Sequence, residues 1–222
     1  MAKKGIIAGG IAAAVIVAIV AAYGMGQSDI ESVNLDMGRT HGTVTTAMGS
    51  PILGNPDAEI TIVEFGDYQC HQCKNWLENT KDDIMKEYID TGKVNMVFVD
   101  MPFLGRDSPV AAQASYCAED QGKYWEYHTE LYHTQGHQID GWLDKEILRT
   151  IAVNLELDME LFDSCIDSNK YQKRVQSNFS EGRSFGVSGT PTFLIVSADG
   201  QEQKLVGAQP FSVFKQVLDP MI

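Results

Sequence analysis

Apolar positions change their period several times along this 222-residue chain, and each change predicts an element. Lys3 and Lys4 are followed by a run from Gly5 to Ser28 with no charged side chain. From Gly5 to Ala22 nearly every residue is Ile, Val, Ala or Gly, enough for a helix to cross a bilayer core of roughly 30 Å. Lysines before the span and none soon after it predict an N-terminus inside and an exported remainder. The length favours an uncleaved anchor over residues 1–26; a signal peptide usually has an apolar region of about 7–15 residues. Ala21-Ala22 leaves cleavage open, in which case the domain is released. Residues 27–49 are polar and aperiodic and read as a flexible linker spanning on the order of 26 Å.

Beyond Ser50-Pro51 the periods are those of a folded domain. Gly54-Asn55-Pro56-Asp57 is a turn, and Glu59–Phe65 is a β-rich strand. After Cys70, the positions Cys73, Trp76, Leu77, Thr80, Ile84 and Tyr88 recur close to every 3.6 residues, a helix that Gly92 stops. Val94–Val99 is a second strand, and the strand-helix-strand order predicts a parallel pair. From Asp107 to Gly186 the period is helical. Ser108-Pro109 opens a helix whose face is Val110, Ala114 and Cys117. The faces that follow are Tyr124, His128, Leu131 and Tyr132; then Ile147, Leu148, Ile151, Ala152 and Leu155; then Leu161, Phe162, Cys165 and Ile166; then Val175 and Phe179. Thr192–Val196 and Gln203–Val206 flank Ala198-Asp199-Gly200, a hairpin signal, and Pro210–Leu218 is a closing helix. The fold class is therefore α/β. A frame of residues 50–106 and 187–222 is interrupted by an all-helical insert over 107–186.

A hydrophobic content of 44% and a charged content of 21% are ordinary for a globular protein. The net charge of −13 argues against a nucleic-acid partner, which requires a basic stripe. Cys70 stands where a strand ends and a helix begins, and unpaired N–H groups and the helix dipole favour a thiolate there. Cys73 lies one turn on, close enough to form a disulfide with it, and His71 offers an imidazole beside it. Glu64 interrupts an apolar strand six residues earlier. A structural disulfide or half a metal site are the alternative readings of the two cysteines. Cys117 and Cys165 lie on apolar helix faces, and in an exported protein they are expected to pair. His41, His128, His133 and His137 read as ordinary, with Gly136 interrupting the last two, and no metal or cofactor is expected. Asn178-Phe179-Ser180 is a lone glycosylation sequon.

Four stretches, taken in order, resemble the DsbA-like thiol–disulfide oxidoreductases of the thioredoxin superfamily over about residues 50–219. They are Ile62-Val63-Glu64-Phe65, Cys70-His71-Gln72-Cys73, the stretch from Ala114-Ser115-Tyr116-Cys117 to Tyr127-His128, and Gly189-Thr190-Pro191-Thr192-Phe193. The resemblance implies a thioredoxin fold with an inserted helical subdomain. It implies that Cys70 is the exchanging thiol, that Cys73 resolves, and that a buried acid at Glu64 assists proton transfer. It also implies a cis bond before Pro191, with Thr190 presenting its backbone to an extended substrate. One departure matters. The best-known members place Pro-His between the cysteines, whereas His71 and Gln72 stand here, so oxidising strength does not carry over.

By this resemblance the chain is a membrane-tethered, monomeric oxidoreductase that gives its disulfide to unfolded or partly folded exported proteins with free thiols. A membrane quinone-linked partner of the DsbB or vitamin K epoxide reductase (VKOR) type would reoxidise it. The same dithiol run backwards would make a reductase or isomerase, although an isomerase usually dimerises and no dimerisation segment is visible. From a different class, a copper-binding chaperone would use Cys70, Cys73 and His71, but the nine methionines form no cluster.

Overall fold

The structure is a computed structural model that describes residues 47–136 and 143–222, with the short pieces Thr40–His41 and Val44–Thr45. The expected membrane segment, most of the linker, the side chain of His41 and all of His137 lie outside the described residues. Among the described residues no helix is long and apolar enough to cross a membrane.

β1 (Thr40–His41) and β2 (Val44–Thr45) make a small antiparallel pair. The main sheet contains β3 (Leu53–Gly54), β4 (Ile60–Gly66), β5 (Val94–Asp100), β6 (Thr192–Ser197) and β7 (Glu202–Val206), in the order β3-β5-β4-β6-β7. β4 and β5 are parallel, and the other neighbours are antiparallel. Every residue of β4, β5 and β6 is buried. Strands covered on both faces read as near-continuous apolar runs, which is how they stood out in the sequence. β7, at the edge, is polar and mostly exposed.

Side chains alternate across the sheet. Val63, Phe65, Val97, Val99, Leu194 and Val196 form a small cluster on one face, beneath Phe179 and Phe185. Ile60, Ile62 and Phe193 belong to the larger cluster on the other face. There Trp76, Phe193 and Phe214 pack with ring centroids 4.7–5.8 Å apart. Glu64 pairs in register with Phe193 and so points to this same face, under the helix that follows Cys70.

That helix is not the regular one expected. α1 (His71–Trp76) and α2 (Asp82–Ile84) alternate with π turns at Leu77–Lys81 and Met85–Ile89. A π turn holds an extra residue, and within the first of them Lys81 is buried beside Thr80.

Among the described residues, five helices lie between β5 and β6: α3 (Ser108–Glu119), α4 (Tyr124–His133), α5 (Lys145–Asn154), α6 (Met159–Asp167) and α7 (Gln172–Ser184). α8 (Phe211–Leu218) then returns to the sheet. α4 packs against Tyr68, just past the end of β4, through His128 and Tyr132, and a close approach there demands Gly66. A Cβ at this position would come within 2.3 Å of the Phe98 ring. Asn178 is fully buried, and its amide donates to Asp100 Oδ2 at 2.8 Å and Tyr116 Oη at 2.9 Å. The sequon it opens is therefore closed to glycosylation in the folded state.

A disulfide joins Cys117 on α3 to Cys165 on α6, 48 residues apart in sequence. Closing a loop of that length stabilises by about 4 kcal/mol in the chain-entropy model. Replacing both by Ala is expected to lower the unfolding free energy by about 2–4 kcal/mol in a denaturant titration. A loss below about 1 kcal/mol would mean that the denatured chain is already constrained there.

Candidate active site

The chain leaves β4 at Gly66 and enters α1 at His71, so Asp67–Cys70 forms the turn that presents the first sulfur. Cys70 caps the helix, and its Sγ accepts the Cys73 N–H at 3.3 Å. In the thiol form Sγ donates to the Thr190 carbonyl, also at 3.3 Å. The Thr190–Pro191 bond is cis. The Thr190 hydroxyl is buried with no hydrogen-bond partner among the described residues. The Cys73 thiol contributes most to drawing the Cys70 pKa down to about 7. Burial opposes it, and the Thr190 side chain and the N–H groups of Cys73 and Gln72 add to it.

Cys73 behaves in the opposite way. It is completely buried, and burial first, then its bond to Cys70 and the nearby charges of Cys70 and Glu64, push its thiol well above the ordinary range. Both cysteines are free thiols here. One sulfur thus ionises near neutrality and its partner does not.

Glu64 lies beneath them. Burial raises its pKa to about 8, Lys81 counteracts this, and the Cys70 charge adds to it. Its Oε2 has no hydrogen-bond partner among the described residues. Lys81 is itself buried and shifted downward, by burial first, with Glu64 and Asp82 opposing. Its ammonium sits 5.1 Å from the centre of the Trp125 ring. Lys81 lies four residues after Leu77 and three before Ile84, on the same helix face, and its charge kept it out of the apolar pattern.

Of the residues singled out from the sequence, Cys70, Cys73, Glu64 and Thr190–Pro191 converge. His71 does not join them. It is exposed in the first turn, and the groups that lower the Cys70 pKa are Cys73, Thr190 and backbone N–H groups.

The sequence gave little warning of the residues that hold the turn. Tyr68 is buried, and its hydroxyl lies 3.0 Å from His128 Nδ1 and 3.4 Å from Tyr124 Oη. His128, which had read as ordinary, is buried in an aromatic cage and kept neutral, its pKa depressed by burial and then by Lys81. Gln135 Nε2 donates to the Tyr68 carbonyl at 3.1 Å, and Tyr132 Oη to the Asp67 carbonyl at 3.3 Å. Ser108 Oγ donates to Gln69 Oε1 at 2.9 Å. Each of these partners belongs to α3, α4 or the residues just after α4. The helical insert therefore fixes the turn that carries Cys70.

Comparison with known proteins agrees with this geometry. A family model described as thioredoxin matches residues 46–219. Disulfide bond formation protein D of Bacillus subtilis is 31% identical over 150 residues, 66% of this chain and 68% of that one. The probable disulfide bond formation protein D of Bacillus anthracis is also 31% identical, over 64% of this chain and 68% of its own. Among solved structures, oxidised BdbD from Bacillus subtilis superposes with a TM-score of 0.72 at 25% identity, covering 82% of this chain and 97% of that one. Wolbachia pipientis alpha-DsbA1 gives 0.66 at 28% identity, covering 76% and 88%. A dithiol at a helix start, an insert that grips it and a family match over most of the chain lead to one conclusion: the protein belongs to the thioredoxin family, as a thiol–disulfide oxidoreductase of the DsbA-like kind.

Proposed function

We propose that the chain introduces disulfides into unfolded or partly folded exported proteins through a Cys70–Cys73 redox pair. The asymmetry of the two sulfurs carries this reading. A substrate thiolate attacks Cys70 of the oxidised pair, a mixed disulfide forms, and the Cys70–Cys73 bond breaks with its electrons on Cys73. A thiolate at Cys73 is unfavourable, so it needs a proton. Glu64 holds one until about pH 8 and is the proposed donor. A second substrate thiolate then attacks the substrate sulfur of the mixed disulfide and expels Cys70, a good leaving group because its pKa is low. Two substrate thiols become one disulfide, and the enzyme ends as a dithiol.

Several parts of the proposal rest on less. The uncharged run Gly5–Ala22 supports an N-terminal anchor with the catalytic domain on the extracytoplasmic side. The names of the relatives, which refer to disulfide bond formation, support the oxidising direction. Because each turnover leaves the enzyme reduced, a quinone-linked membrane partner of the DsbB or VKOR type fits as reoxidant. Thr190 and Pro191 are proposed to meet the substrate backbone beside Cys70. His71 is kept as an exposed neighbour of that sulfur.

Three outcomes follow from these roles. Cys73→Ser should accumulate mixed disulfides through Cys70 with a two-cysteine peptide, visible on non-reducing gels, while Cys70→Ser should accumulate none. Trapping in the reverse mutant alone would exchange the two roles. Glu64→Gln should slow opening of the Cys70–Cys73 disulfide at pH 7 by about tenfold or more, the low end of general-acid effects. In stopped-flow measurements that gap should close above about pH 8, where the wild-type carboxyl loses its proton; a gap constant from pH 6 to 9 would remove Glu64 as the donor.

The third outcome concerns stability. The folded carboxyl keeps its proton to about pH 8, whereas the ordinary value is 4.5. Between those values the native state binds the extra proton, so wild-type stability falls as pH rises. Denaturation at pH 5 and pH 8 should show that fall in the wild type and less of it in Glu64→Gln.

A further inference from the structure

Asp67 is buried, yet its carboxylate is fully used. Oδ1 accepts the Gln69 N–H at 2.9 Å, inside the turn that carries Cys70. Oδ2 accepts the N–H groups of Phe103 and Leu104, both at 2.9 Å, from the loop after β5. One side chain thus joins two segments far apart in sequence. The Asp67 carbonyl adds to this by accepting the Cys70 N–H at 2.9 Å.

The topology gives the join a purpose. β4 and β5 are parallel, so the Cys70 turn and the Phe103–Leu104 loop leave the sheet at the same end. β6 is antiparallel to β4 and begins at that end, bringing Thr190–Pro191 there as well. β5 and β6 flank β4, and neighbouring strands lie about 4.8 Å apart. The strands that lead to the loop and to Thr190 therefore flank the one that leads to Cys70. Phe103 and Leu104 are each 40% exposed although apolar. The Phe103 ring has Phe179 at 6.4 Å on its protein side.

We propose that Asp67 is a positioning residue of the exchange reaction. Its carboxylate holds the Cys70 turn and the Phe103–Leu104 loop in one register, so that a polypeptide thiol reaching Cys70 brings its neighbouring side chains onto a fixed apolar lip. The inference rests on the function proposed above and adds a preference: substrates with apolar residues beside the reacting cysteine. An amide cannot replace the carboxylate. All three N–H groups are donors, and Asn offers one oxygen and one NH₂, so either the turn or the loop loses its acceptor.

The test uses the full chain and two peptides, each with two cysteines, one flanked by leucines and one by serines. Wild-type kcat/KM should favour the leucine peptide. Asp67→Asn should reduce that preference about tenfold, the scale of one hydrogen bond to a charged group. The loss should lie in KM, because the lip binds ground and transition states alike. Phe103→Ser with Leu104→Ser should reduce the preference by a similar factor, and the triple variant should lose no more than either. Equal slowing of both peptides by Asp67→Asn, or additive losses in the triple variant, would overturn the coupling. If Asp67→Asn does not fold, the surface double variant still decides, since an unchanged preference there overturns the inference. A wild-type chain that turns over both peptides without preference overturns it too, and leaves the proposed function standing. A wild-type chain inert toward both overturns both.

Discussion

A sulfur can ionise near neutral pH inside a protein only if donors already point at it. At Cys70 those donors come from the first turn of α1, from the Cys73 thiol and from the Thr190 side chain. Most of them belong to the dithiol motif, but what places that motif lies outside it. The helix start is set by the Asp67–Gln69 turn, which Tyr132, Gln135, His128 and Ser108 hold in place. The Thr190 carbonyl is set by the start of β6. The geometry of two sulfurs is thus maintained by the packing of a helical insert onto the end of a sheet.

Magnitudes separate what the low pKa does from what it does not do. With a pKa of about 7, about half of Cys70 is thiolate at pH 7, against about 1% at the ordinary value of 9.0. Ionisation therefore speeds exchange substantially. At the same pH it stabilises the reduced enzyme by only roughly 0.4 kcal/mol. The thiolate makes Cys70 kinetically competent, whereas its ionisation adds little to the driving force of net electron flow. Beneath it, Glu64 and Lys81 are each shifted toward neutrality, because burying two charges costs more than their attraction returns.

Much of the fold could be read from residue patterns. β4, β5 and β6 announced themselves as apolar runs, and the Ala198-Asp199-Gly200 hairpin and the α8 closure lay within a residue or two of their places. The sulfurs were legible because strand, bend and helix follow one another within a dozen residues. Lys81 was not, because a charged side chain at an inward position does not register in an apolar pattern. Asp67, His128 and Gln135 were not, because their roles depend on partners 36 to 67 residues away.

The central claim is the asymmetry of the two thiols, and alkylation of the reduced native protein across pH 5 to 10 tests it most directly. With iodoacetamide and peptide mapping, Cys70 should label with a rate midpoint near pH 7, and Cys73 should stay unlabelled until the chain is unfolded. Labelling of Cys73 at a comparable rate in the native state, or a Cys70 midpoint near pH 9, would contradict the account.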